Sequence, residues 1–280
     1  MTQTLRLSIA QMTSTNRHEG NIAWMEEAAA QAAEDGAQML ALPEASGLVN
    51  KDRDDALRLV VDHDADPFIA ACREAAAKHG LWVQTGSTPV KGPDGVDGPR
   101  FLNHGDMIDP DGRIVAGYDK IHLFDIHLDG KPPTGESRRY GPGRRAVLAD
   151  TPWGPAGLAI CYDLRFPQLF RDYGQRGATL LFVPSAFTVP TGRAHWEVLL
   201  RARAIENGAF VIAAAQVGKH DDGRVTYGHS MVVNPWGEVL VDMGSDGPGL
   251  RTVDLNLDEV AAARRQIPSL QNGRDYSFDD

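Results

Sequence analysis

Short apolar segments with the pattern of β-strands recur along the whole chain, and far fewer helical segments separate them. Residues 6–11 (RLSIAQ) alternate apolar and polar side chains, and 39–42, 81–87, 101–108, 114–120, 156–160, 179–183, 210–216, 230–233 and 250–255 read as further strands. Helical character is confined to 21–35, 66–79, 168–174, 194–207 and 257–266, with Pro67 at a helix start and Gly36 and Gly80 just past helix ends. A doubly wound sheet or a (β/α)8 barrel needs about one crossover helix per strand. This chain does not supply them, so a sandwich of two sheets with helices on the outer faces fits better. No linker interrupts the 280 residues and no period of 20–50 residues recurs. The expectation is therefore one α/β domain. A Gly/Pro-rich excursion at 121–145 is long enough to be functional.

Composition narrows the function. The formal net charge is -10 and the sequence pI about 5.3, which disfavours a nucleic-acid or anionic-membrane surface but leaves room for a local arginine that binds a small anion. Mean hydropathy is -0.31, and no apolar stretch approaches the roughly 18 residues of a membrane helix. The N-terminus lacks the apolar core and cleavage site of a secretory signal. Two cysteines, Cys72 and Cys161, are too few for a disulfide framework or a thiolate zinc site. A cytoplasmic protein is the expectation.

Three segments carry chemistry. In AGLAICYDLRFP an apolar strand runs into Cys161, placing a thiol at a strand-to-loop turn beside free backbone N–H groups. A buried structural cysteine is the alternative. In LALPEASGL a buried strand stops at Pro43 and Glu44 follows at once, a position where one-sided desolvation suits a general base. A surface turn carboxylate is the alternative. In GYDKIHLFD, Lys120 closes a strand, where it can stabilise an oxyanion or merely guard a sheet edge. A Cys–His arrangement using His195 or His229 is also open. The phosphate-loop, dinucleotide, HExxH and GxSxG patterns do not occur. The acidic run 62–66 carries Pro67 where a calcium loop needs glycine, and reads as a solvated lead-in to the next helix. Cys72, in an Ala-rich helix, reads as inert packing.

The ordered set Glu44, Lys120 and Cys161, in the contexts ALPE, GYDKIHLFD and CYDLRFP, resembles the catalytic triad of the nitrilase superfamily of carbon–nitrogen hydrolases. The likeness extends from SIAQM to Asn256. KIHLFDI, GESRRYGPG, VPSAFTVPTGRAHWEVLLRARAIEN and YGHSMVVNPWGEVL are similar to the amidase branch, that of deaminated-glutathione and omega-amidases. The resemblance implies a four-layer α-β-β-α sandwich formed by residues 1–280, with a core at about 5–256 and a C-terminal helix and tail at 257–280. It also implies a homodimer or higher homo-oligomer, and a second active-site glutamate that Glu136 matches.

The chemistry so implied is hydrolysis of a linear amide through a thioester on Cys161. Glu44 would move protons, and Lys120 and the backbone N–H of Tyr162 would hold the oxyanion. Glu136 would position Lys120 or the substrate. The scheme calls for no metal and no organic cofactor. Arg165, four residues after the nucleophile, suits a substrate carboxylate unless it pairs with Asp163 or Asp172. Phe187 and Thr191 match positions lining the family's pocket. The expected substrate is a small, anionic amide such as deaminated glutathione or another 2-oxo acid amide, with no nucleic-acid or membrane partner. The alternatives are an omega-amidase, an N-carbamoyl amino acid amidohydrolase, an aliphatic amidase and a non-catalytic dimeric scaffold. On the helix over 194–207, His195, Trp196, Arg201 and Arg203 are expected in a subunit contact or in pairs with Glu197 and Glu206, and Trp236 in core or interface packing.

Overall fold

The computed structural model describes residues 3–93, 100–127 and 134–278, so residues 128–133 of the 121–145 excursion lie outside it. Strand alternation sorts side chains into layers. Along Thr4–Met12, Leu5, Leu7 and Ile9 enter one core while Ala10 and Met12 enter another; along the next strand Met39 and Ala41 part from Leu40 and Leu42 in the same way. The first core lies between two sheets, where those residues meet Leu158, Phe182 and Val211. The second packs against the helices α1 (His18–Glu34) and α3 (Pro67–His79), with the short α2 (Arg53–Leu59) between them in the chain, through Met25, Ala29, Phe68 and Cys72. On the far side of the second sheet lie α4 (Pro167–Gln175) and α5 (Val189–Asn207), with Phe170, Tyr173, Trp196 and Leu200 turned inward. Four layers result, α-β-β-α, as the strand-to-helix ratio requires.

The larger sheet runs in the order Val225–Tyr227, Ala215–Lys219, Thr4–Met12, Met39–Ala41, Trp82–Gln84, Phe101–Ile108, Thr88–Lys91. Gly249–Asn256 also pairs with Thr4–Met12, and Ile114–Asp119 with Phe101–Ile108. The smaller sheet is Val239–Asp242, Met231–Val233, Phe210–Ala213, Leu180–Phe182, Gly154–Leu158, Val147–Thr151.

Several sequence expectations are corrected. The run 210–216 is two strands: Phe210–Ala213 belongs to the smaller sheet and Ala215–Lys219 to the larger. The chain changes sheets at Ala214, whose carbonyl accepts from Ser185 N. The run FVIAAAQ is too uniformly apolar to mark that break. The expected strand 81–87 ends at Gln84 because Gly86 turns at φ +69°. A Cβ there would sit 1.8 Å from the Pro43 carbonyl oxygen, so only glycine lets this turn back the segment that carries Glu44. The helix expected at 194–207 starts earlier, at Val189, with Pro190 in its first turn. The strands Val147–Thr151, Val225–Tyr227 and Val239–Asp242 and the helix Arg53–Leu59 have no counterpart in the sequence reading. The 62–66 lead-in is not uniformly solvated. Asp66 is buried and caps α3 by accepting from Phe68 N and Ile69 N, and His63 turns inward onto Asp106. Trp236 is 51% exposed and is not core packing.

Candidate active site

Glu44, Lys120, Glu136 and Cys161 come from four separate segments and meet in one buried place. Lys120 follows the strand Ile114–Asp119 and is 2% exposed. Its ammonium donates to Glu44 Oε1 at 2.8 Å and to Glu136 Oε1 and Oε2 at 3.1 and 3.0 Å. Burial alone would neutralise such an amine. The charges of Glu136 and Glu44 outweigh it and raise the Lys120 pKa well above the ordinary lysine value, so the side chain is a fixed cation.

Each carboxylate has further support. Asn103 Nδ2 donates to Glu44 Oε1 at 2.9 Å and to Glu136 Oε1 at 3.4 Å, tying the two acids together. Phe124 N donates to Glu136 Oε2. Gln216 Nε2 donates to the Glu44 carbonyl oxygen, and Ala45 N to Ser87 Oγ.

Cys161 opens the 3-10 turn Cys161–Arg165 with φ +51°, and Ala45 beside Glu44 has φ +57°. Non-glycine residues rarely adopt this left-handed region, and strain of this kind concentrates at functional sites. Cys161 N donates to Pro184 O and Asp163 N to Ile160 O; Tyr162 N–H lies between them in the same first turn. The thiol is within hydrogen-bonding reach of the Glu44 carboxylate and the Ala186 N–H. Burial pushes its pKa well above the thiol value, the Glu44 charge adds to this, and Lys120 opposes. The resting group is a neutral thiol, and Glu44 is the carboxylate that acts on it. The groups acting on the thiol are Glu44 and Lys120 rather than a histidine: His229 bonds Asp242 and stacks on Tyr227, and His195 bonds Arg165.

Asp163 enters the sequence reading only as a possible partner of Arg165. It is fully buried and accepts from Tyr118 Oη at 2.7 Å, Ile160 N at 2.8 Å, and His122 N and Nδ1 at 2.9 and 2.7 Å. One carboxylate thus ties the turn that carries Cys161 to both flanks of Lys120. His122 also stacks on Phe166 at 3.5 Å between ring centroids. Asn103 was missed as well. A buried amide on a strand is a weak signal, and only the pairing of its strand with 114–119 brings it to Lys120.

Arg165 pairs with neither Asp163 nor Asp172. Its guanidinium lies 5.8 Å from the Tyr162 ring centroid and 5.5 Å from that of Phe187, and Nη1 is 3.3 Å from His195 Nδ1. Phe187 is buried against Trp196. Thr191 sits in the first turn of α5, where its hydroxyl bonds back to Thr188. Farther along α5, Arg201 pairs with Glu197 and Arg203 with Glu206, as expected. Cys72 is buried, and its pKa is raised well above the thiol value by burial first and by Asp66 and Asp106 next.

The carbon-nitrogen hydrolase family matches residues 6–265. The chain is 39% identical over 269 residues to deaminated glutathione amidase of Mus musculus, spanning 96% of this chain and 83% of that one. It superposes on the crystal structure of the Caenorhabditis elegans NitFhit protein with a TM-score of 0.88 and 38% identity, over 98% of this chain and 66% of that fusion. It also matches an amidase from Nesterenkonia sp. AN1, solved after Michael addition of acrylamide at its active-site cysteine, with a TM-score of 0.75 and 28% identity over 94% of this chain and 98% of that one. The chain belongs to the carbon–nitrogen hydrolase family. It is an enzyme that hydrolyses amide bonds, and it has the sandwich fold of the nitrilase superfamily.

Proposed function

We propose that this enzyme hydrolyses the amide of a small 2-oxo acid, with deaminated glutathione as the leading substrate, through a thioester on Cys161. The observation that carries the reading is the Lys120 ammonium clasped between Glu44 and Glu136, with the Cys161 thiol against Glu44. Sγ attacks the amide carbon as its proton passes to Glu44. The carbonyl oxygen becomes an oxyanion facing Lys120 and Tyr162 N–H. Glu44 then gives its proton to the leaving nitrogen, the C–N bond breaks, and the acyl group stays on sulfur. Water attacks the thioester as Glu44 takes a proton from it; sulfur departs and is reprotonated, and the acid product leaves. Glu136 holds Lys120 in place. No step in this sequence draws on a metal or an organic cofactor.

Substrate choice rests on Arg165. Its carriage on two aromatic rings, with no carboxylate partner among the described residues, suits a substrate carboxylate. Phe187 would pack against the acyl chain, and Thr191 would donate to the carboxylate by exchanging its bond to Thr188. The named activity of the mouse relative agrees with this choice.

Two coarser readings accompany it. Val198 and Ile205, seven residues apart on one face of α5, and Trp236 are 69%, 50% and 51% exposed, and this apolar face supports a homodimer or larger homo-oligomer. Among the described residues no helix is long and apolar enough to cross a membrane. The two free cysteines support a reducing, cytoplasmic setting.

The test is amine release from deaminated glutathione, 2-oxoglutaramate, an N-carbamoyl amino acid and a plain nitrile, with Cys161→Ala as the blank for each. Preference for the first two supports the proposal. Faster turnover of the carbamoyl compound, with carbon dioxide released, overturns the substrate assignment.

A further inference from the structure

A second constellation lies beside the active centre. Asn103 and Lys120 bond into the active centre, and their chain neighbours His104 and Asp119, a register pair on adjacent strands, bond to each other instead. His104 Nε2 is 3.0 Å from Asp106 Oδ1, and His63 Nε2 is 3.1 Å from Asp106 Oδ2. The two imidazoles meet edge to face with centroids 4.7 Å apart. The outward nitrogens are held too: His104 Nδ1 lies 2.7 Å from Asp119 Oδ1, and His63 Nδ1 lies 2.8 Å from Asp64 Oδ1. Three segments distant in sequence are thereby drawn to one point.

We propose that His63 Nε2, His104 Nε2 and the Asp106 carboxylate form a binding site for one divalent transition-metal ion of the zinc class, separate from the hydrolytic centre. The three donors lie within 4.8 Å of one another. In a tetrahedral zinc site, ligand atoms stand roughly 3.3 Å apart, close to the two nitrogen–oxygen separations already present. Two imidazoles and a carboxylate are a donor set that zinc, cobalt and nickel accept. The carboxylates on the outward nitrogens are the arrangement that orients metal-bound histidines and raises their basicity. Asp106 is almost fully buried and receives Thr85 Oγ1 as an acceptor for its own N–H, so the central ligand is fixed. The His63 side chain is 31% exposed, which leaves an entrance on its side.

Charge balance agrees with the geometry. With a carboxylate on each nitrogen, His104 donates at both and is an imidazolium. Burial opposes that charge, but Asp106 and Asp119 hold its pKa up at about 9. Asp64, Asp66 and Asp106 surround His63, whose pKa is also raised, led by its bond to Asp106. A divalent ion at the two Nε2 atoms releases up to two protons to solvent and leaves the net charge unchanged. By clamping the 63–65 turn to the strand 101–108, the ion would also stiffen the segment that carries Asn103.

The test uses the full-length protein stripped with a chelator and dialysed, titrated with Co²⁺ and Zn²⁺. The expected result is one ion per chain, with visible cobalt d–d bands, no sulfur-to-cobalt charge-transfer band, and one to two protons released per Zn²⁺ by calorimetry in two buffers. His63→Ala and His104→Ala should weaken binding at least about 100-fold, and Asp119→Asn about 10–100-fold. His63 stands on an exposed 3-10 turn, so far-UV circular dichroism of His63→Ala separates lost binding from lost folding. Absence of stoichiometric binding, binding untouched by the histidine variants, or a thiolate band placing the metal on Cys161 overturns the proposal.

Discussion

Two clusters flank one pair of strands, and both hold a cation among carboxylates. In the active centre the cation is Lys120, 2% exposed, and its raised pKa makes the charge permanent. In the second cluster the cation is the imidazolium of His104, its pKa held up at about 9 by Asp106 and Asp119, beside His63, whose pKa is also raised; here the charge is a removable proton. Neighbouring residues serve the two: Asn103 and Lys120 the first, His104 and Asp119 the second. The difference is one of task. A centre proposed to meet a transient oxyanion needs a charge that neither titrates nor leaves, and lysine between two acids supplies it. A cluster of exchangeable protons is suited to taking up an ion instead.

That contrast predicts a hierarchy of effects. Lys120→Met removes the permanent charge and strands two buried carboxylates. It should lower kcat/KM by at least about 1,000-fold and destabilise the fold by about 3–5 kcal/mol, read by steady-state kinetics and urea unfolding. A variant that stays both stable and active breaks the comparison at its root.

Asp163→Ala should follow. It leaves Ile160 N, Tyr118 Oη and His122 without their acceptor, at about 1–3 kcal/mol of stability. It also frees the Cys161 turn from the Lys120 strand, lowering kcat by about 10–100-fold with little change in KM. Asp163→Asn keeps an acceptor oxygen and should recover part of the kcat; a KM effect instead would make Asp163 a substrate contact.

A smaller, more selective effect is expected at Arg165. Arg165→Ala should raise KM about 10-fold or more for an anionic amide and leave a neutral amide near its wild-type value. Equal losses on both would remove the carboxylate role.

The gentlest test is alkylation of free enzyme. Because burial and Glu44 raise the Cys161 pKa, its thiolate fraction at neutral pH is small. Iodoacetamide labelling of Cys161 should therefore keep rising with pH beyond about 9, where an ordinary thiol levels off. Cys72, whose thiol is pushed up by burial and by Asp66 and Asp106, should label more slowly throughout. A labelling plateau near neutral pH would show a preformed thiolate and contradict the need for Glu44 as base.

Of the four groups that meet in the candidate site, three were legible in local patterns, a strand stopped by proline before Glu44, a strand closed by Lys120 and a strand running into Cys161, and Glu136 only through the resemblance that GESRRYGPG carries. Asn103 and Asp163 were not. Their importance arises from register and from a buried three-way junction, which are facts of non-local pairing. His63 looked like a solvated acidic lead-in because its partners, His104 and Asp106, lie about forty residues away. The strand-to-helix ratio revealed the layers, whereas the sheet change at Ala214 stayed hidden in an unbroken apolar run.

The central claim is that amide cleavage passes through the Cys161 sulfur. It is met most directly by the hydrolysis rate of a 2-oxo acid amide with Cys161→Ala, its fold checked by circular dichroism. The account predicts a fall of at least about 1,000-fold. Turnover near the wild-type rate by a folded Cys161→Ala protein would contradict it.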